Sequence, residues 1–216
     1  MMPEQRQLTF FQPDDPPPLV LRQLEVEQKL LSPFAPYRKA ITPLAEAAVD
    51  ALGRYNHACK RGFAIHGPVT LFQQVAQAFA TLLELPFCPI RGLLVEQTND
   101  LLVSMAKVCE DTVVQSLDGP VSLELQFLGQ RCQPGQFAMD YMRIPPLVLY
   151  VDELNDLPVT VLRRLLQATN DDMMLCDGTY LAHCDFVCWL FRSQDLELLE
   201  RLGDRFVLLD LSKENT

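Results

Sequence analysis

Two adjacent carboxylates, Asp152 and Glu153, close an unbroken apolar run, Leu147-Val148-Leu149-Tyr150-Val151. A strand ending in this way delivers its acids to the rim of a sheet. There one acid can ligate a divalent cation and the other can polarise a water. That chemistry suits phosphoanhydride cleavage, provided that a second element holds phosphate. The segment placed to do so is Gly67-Pro68-Val69-Thr70-Leu71-Phe72-Gln73-Gln74, directly after the short apolar run Gly62–His66. A phosphate-holding loop needs glycines, so that backbone N–H groups can close around the anion, and a lysine to add charge. This segment has one glycine and no lysine. Val69, Thr70 and Leu71 carry Cβ atoms that disfavour the positive φ angles such a nest requires.

The elements that must position these residues follow from hydrophobic periodicity. Leu147–Val151 reads as a central parallel strand covered on both faces, and Gly62–His66 as another strand. A helix over about 71–85 carries an apolar stripe of Phe72, Val75, Ala76, Phe79, Leu82 and Leu83. A further strand is expected around Arg91–Val95, then a long helix capped by Thr98 or Asn99 and ending near Leu117. Asp118-Gly119-Pro120 reads as a turn, and the alternation over Val121–Leu128 as a half-buried strand or hairpin arm. Asp156 and Pro158 open a helix that buries Val159, Leu162, Leu165 and Leu166. Asp177-Gly178 is a hairpin-type turn. Two apolar strands, Phe186–Phe191 and Phe206–Leu211, flank a short helix over 194–202.

Upstream, residues 1–18 form a proline-rich polar arm, with Phe10 and Phe11 as a docking peptide or a strap on the domain's own surface. Leu19–Leu31 reads as a helix stopped by Ser32-Pro33. Thr42 is expected to cap a second helix, with Pro43 in its first position. The alternation of strand and helix predicts one α/β domain over 19–216. Its expected form is three layers, α/β/α, with a five-stranded, mostly parallel sheet and an N-terminal helical extension.

Composition narrows the function classes. The 216 residues carry a formal charge of −10, from 18 basic and 28 acidic side chains. No basic stripe is evident, so a nucleic-acid partner is not expected. No run of apolar residues is long enough for a membrane span, and the polar start Met-Met-Pro-Glu-Gln-Arg-Gln lacks a signal-peptide core. Seven cysteines with no C-x-x-C spacing predict reduced thiols packed in a cytoplasmic protein. A zinc site built from Cys176, His183 and Cys184 has no recognisable ligand spacing. His66 reads as a partly buried histidine at a strand end, with a ligand contact as the alternative, and Trp189 and Phe191 are expected to pack in the core.

The block Ile144–Leu211 resembles the AAA+ ATPases, and within them the MoxR-like branch. The likeness rests on the strand ending in Asp152-Glu153 and on Leu154-Asn155-Asp156-Leu157-Pro158 after it. It continues through the helix Val161–Ala168, the turn Asp177-Gly178-Thr179-Tyr180 and Gly203-Asp204-Arg205-Phe206. Gly67-Pro68 and Val75–Ala80 upstream resemble the flank of the phosphate loop, so the likeness spans about residues 40–211. It implies a P-loop NTPase fold with ATP and Mg²⁺ as cofactors and Asp152 as the metal ligand. Glu153 would be the water-polarising base, and Arg205 an arginine finger serving a neighbouring subunit.

The departures are equally specific. Aligned on Ala76, Phe72 or Leu71 stands where the family has its lysine, and Gln73 near its Mg²⁺-binding Ser/Thr. Phe72 or Leu71 is expected to fill the volume of a phosphate. The family's polar sensor at the end of the fourth strand falls at Arg192 or Phe191. The helical lid expected after the fifth strand has no counterpart before Thr216. The phosphate loop Gly67, Pro68, Thr70, Phe72, Gln73 therefore reads as degenerate. Asp152 and Glu153 read as remnants satisfied by helix N-termini or solvent, removable for about 0.5 kcal/mol. The resulting expectation is a catalytically inactive AAA+-like scaffold, adaptor or regulatory subunit without a cofactor. Its partner would be a protein, with an active AAA+ paralogue as one candidate. The alternative is a MoxR-like ATPase or chaperone with an unorthodox phosphate loop, using Asp152, Glu153 and Arg205 with ATP and Mg²⁺.

Overall fold

The computed structural model describes residues 17–54, 57, 59, 62–116, 140–144, 146–170, 174–176, 180–184, 186–202 and 206–212. Two helices lead in, α1 (Leu19–Val26) and α2 (Arg38–Leu52). Then follow β1 (Gly62–His66), α3 (Val69–Leu82), β2 (Phe87–Arg91), α4 (Thr98–Ser116) and β3 (Asp140–Arg143). The chain continues through β4 (Leu147–Asp152), α5 (Val159–Asn170), β5 (Met174–Cys176) and β6 (Tyr180–His183). It closes with β7 (Val187–Arg192), α6 (Leu196–Glu200) and β8 (Phe206–Asp210).

Five strands form one sheet in the order β2-β4-β7-β1-β8, with every neighbouring pair parallel. The central strands β4 and β7 are apolar up to their last residues, Asp152 and Arg192, because both of their faces are covered. Val148 and Tyr150 of β4 pack with α2 and α3 in one core, together with Phe63, Phe72 and Phe79. Leu149 and Val151 of the same strand face the opposite core, with Leu101, Leu165, Trp189 and Phe191. This is the three-layer α/β/α arrangement. The short strands β3, β6 and β5 make a second sheet, parallel at β3–β6 and antiparallel at β5–β6. The β5–β6 pairing suits the hairpin expected at Asp177-Gly178, a turn that itself lies outside the described residues. Cys59, Cys88, Cys184 and Cys188 are buried thiols, as expected of core cysteines.

Several boundaries differ from the sequence expectation. The second helix starts at Arg38, led in by a 3-10 turn over Ala35–Tyr37, and Pro43 sits inside it. Thr42 is not the cap: its hydroxyl donates to the Arg38 carbonyl at 2.8 Å, the back-bond of a helical threonine. The first helix gives way after Val26 to a π turn over Glu27–Leu31, whose Glu27 takes a two-pronged contact from Arg38. The second sheet strand runs over Phe87–Arg91 rather than 91–95, because Cys88 and Ile90 are the residues that alternate into the core. Leu93 and Leu94 are exposed in the turn that follows. Pro89 is accommodated because β2 is an edge strand. At the start of α4 neither Thr98 nor Asn99 caps. Asp100 accepts from the backbone N–H groups of Glu96 and Gln97, each at 2.9 Å, as the returning half of a capping box does. The expected strand at Val121–Leu128 lies outside the described residues, and β3 was not foreseen.

Candidate functional site

The parallel sheet brings three strand ends to one edge. β1 runs into Gly67, β4 ends in Asp152 before Glu153, and β7 ends in Arg192. The register pairs Ile65 with Arg192 and Val151 with Phe191, so these groups meet although they are far apart in the chain. Arg192 is fully buried, and its guanidinium spans the gap. Its Nε donates to the Gly67 carbonyl at 2.9 Å, and Nη1 donates to Asp152 Oδ1 at 2.8 Å and to Glu153 Oε1. Tyr150 adds its hydroxyl to the same Asp152 oxygen at 3.2 Å. Nη2 is buried with no partner among the described residues. Burial works to lower the Arg192 pKa, but the bonds to Glu153 and Asp152 outweigh it and hold the guanidinium firmly charged. Burial, then the Asp152 charge, pushes the Tyr150 hydroxyl well above its usual range.

This corrects the reading of the acid pair as satisfied by helix N-termini or solvent: its partner is a buried arginine. The Gly67–Gln74 segment, which the sequence reading takes as a degenerate phosphate loop, lies on the other side of that arginine. Gly67 has φ +151°, and a Cβ there would come within 3.0 Å of Leu211, so a glycine is needed locally. Pro68 is the extended N-cap of α3 and offers no side-chain cap. Thr70 and Gln73 are exposed and Leu71 is half-buried. Phe72 points into the core rather than into space ahead of the helix. Its ring stacks on Tyr150 with centroids 6.2 Å apart, and Tyr150 stacks in turn on Phe87 at 6.2 Å. The group bonded to the Gly67 carbonyl is thus Arg192, while Phe72 packs in the core. Arg205 lies outside the described residues.

A second cross-link braces the same edge. The buried Ser193 hydroxyl donates to Asn155 Oδ1 and accepts from the Asp195 N–H at 2.9 Å. Asp195 caps α6 through the N–H of Leu198 at 3.1 Å. Glu153 adopts φ +53°. Gly92 packs so closely that an added Cβ would lie 2.3 Å from the Glu153 carbonyl. Sequence reasoning named Arg192 only as a departure from a pattern and missed Tyr150, Asn155 and Ser193. The available signal was a charged residue ending an otherwise apolar strand, where burial requires a counter-charge.

No family model matches the sequence, and no curated protein matches it either. Solved structures do match. Against a Thermotoga maritima RuvB point mutant the TM-score is 0.52 at 17% identity, covering 85% of this chain and 48% of that one. Against the Thermotoga maritima RuvB Holliday junction branch migration motor it is 0.50 at 18% identity, covering 87% and 49%. The fold is that of an AAA+ P-loop ATPase. The chain spans about half the length of these structures. Within the AAA+ fold the residues at this edge do not fit Mg²⁺-nucleotide as they stand. The oxygens that would ligate the metal already hold a guanidinium, and the first two turns of α3 carry no basic side chain.

Proposed function

We propose that the chain is a catalytically inactive AAA+-like protein of the MoxR-like branch. It acts in the cytoplasm as a scaffold, adaptor or regulatory subunit of a protein complex. The observation that carries this reading is the placement of Phe72. Of the two side chains aligned with the family's lysine, Phe72 is fully buried and stacked on Tyr150, and Leu71 is half-buried and apolar. A domain of this kind keeps its assembly surfaces while losing phosphate chemistry, since fold and activity separate readily. RuvB is described as a branch migration motor on Holliday junctions. For this chain the net charge of −10 favours a protein partner over a polyanion, and an active AAA+ paralogue or other complex subunits are the candidates.

The retained acids Asp152 and Glu153 keep the alternative open, an ATPase with an unorthodox phosphate loop. Calorimetry with Mg-ATP and Mg-ADP separates the two. At about 100 μM protein, where a weak site still registers, the inactive reading expects no saturable heat. A micromolar Kd for the wild type decides for the ATPase.

A further inference from the structure

The three acceptors gathered by Arg192 are a carboxylate oxygen of Asp152, a carboxylate oxygen of Glu153 and the backbone carbonyl of Gly67. Those are the oxygen types that a hard divalent cation collects. The Asp152 and Glu153 side chains keep 15% and 29% of their surface exposed, whereas the Arg192 side chain has none. The acids are therefore open to solvent on one side and held by a cation beneath. We propose that Arg192 is a resident cation. It makes permanently, from inside the fold, the cross-link between the Gly67 loop and the acid pair that an exchangeable metal would otherwise make, and it masks a latent divalent-cation site. The inference rests on the inactive reading above and gives its physical cause at the metal rather than at the phosphate.

The guanidinium suits this task. Its planar fork reaches three acceptors delivered by two separate strand ends, which a point-charge ammonium could not hold together. Its charge cannot be removed by a change of pH in the physiological range. Three donor hydrogens of five are used among the described residues, and the remaining two, on Nη2, are buried without a partner there. Arg192 is therefore held by charge and by its stem rather than by a saturated hydrogen-bond network.

The test uses the full chain and Mn²⁺ alone, read by the electron paramagnetic resonance of free Mn²⁺. The wild type should show no binding that depends on Asp152. Arg192→Gln should gain one Mn²⁺ site with a Kd on the order of 1 mM, as for a weak carboxylate site. Mn²⁺ at about ten times that Kd should raise the variant's folding equilibrium constant about tenfold. The triple variant Arg192→Gln/Asp152→Asn/Glu153→Gln should fold without Mn²⁺ and neither bind it nor be stabilised by it. A folded Arg192→Gln that gains no site overturns the proposal, and so does a wild type that binds Mn²⁺ through Asp152. If Arg192→Gln alone does not fold, the triple variant decides. Its folding supports the role as counter-cation, and its failure to fold overturns that role. None of these outcomes involves nucleotide, so they are independent of the Mg-ATP calorimetry on which the inactive reading stands or falls.

Discussion

Replacing Phe72, one of the two residues aligned with the lysine of a phosphate loop, by lysine should break the domain rather than restore a phosphate site. The Phe72 ring is wholly buried, lies within 14° of parallel to Tyr150, and forms the end of a three-ring stack through Tyr150 to Phe87. Truncating such a ring in Phe72→Ala costs about 3–5 kcal/mol, of which roughly 0.5–1.5 kcal/mol belongs to the aromatic pairing. Phe72→Lys keeps part of the aliphatic volume but brings an ammonium into the same core and close to the positive end of α3. Its cost should be at least that of alanine. Total stability for a domain is about 5–15 kcal/mol. At about 2–4 °C per kcal/mol for a chain of this size, a 4 kcal/mol loss lowers Tm by roughly 8–16 °C. Urea and thermal denaturation would measure the loss, and calorimetry would look for Mg-ATP binding by whatever remains folded. A Phe72→Lys protein with a Tm within about 2 °C of wild type and a micromolar affinity for Mg-ATP would refute the reasoning. Position 72 would then be a working lysine site.

Two further outcomes follow from the buried cation and from the surface acids. Asp152→Asn/Glu153→Gln should cost about 3–5 kcal/mol, because it leaves the Arg192 guanidinium buried without a counter-charge. The sequence alone suggested about 0.5 kcal/mol for removing solvated acids, and a urea midpoint close to wild type would favour that view. Stability should also fall in acid. The backbone N–H groups of Gln97 and Glu96 hold Asp100 below its ordinary value of 3.8, and the Ser212 hydroxyl and N–H do the same for Asp210. A folded pKa below the unfolded one stabilises fully above the unfolded value and is lost as pH falls through the folded value. Urea midpoints should therefore be level from pH 7 to about 5 and drop below about pH 4. Asp100→Asn/Asp210→Asn should flatten that drop, and an equally steep acid limb in the double variant would contradict the assignment.

The alternation of strands and helices, the two-sided burial of β4, and the delivery of Asp152 and Glu153 to a sheet edge were all legible in the sequence. Each depends on periodicity or on an unbroken apolar run, and both act over a few neighbouring residues. Boundaries were legible only roughly. A proline inside α2 and a cap supplied by Asp100 depend on which local hydrogen bond wins, and more than one was available. The state of the site was not legible at all. Arg192 lies 125 residues from Gly67, 40 from Asp152 and 39 from Glu153. Nothing in their spacing marks them as partners. They meet because β7 lies between β1 and β4 in a parallel register that brings their ends together. Sheet order comes from the packing of all the strands and helices together. The sequence by itself determined that an acid pair closes an apolar strand, and only the tertiary structure decided that its partner is a buried arginine of the same chain.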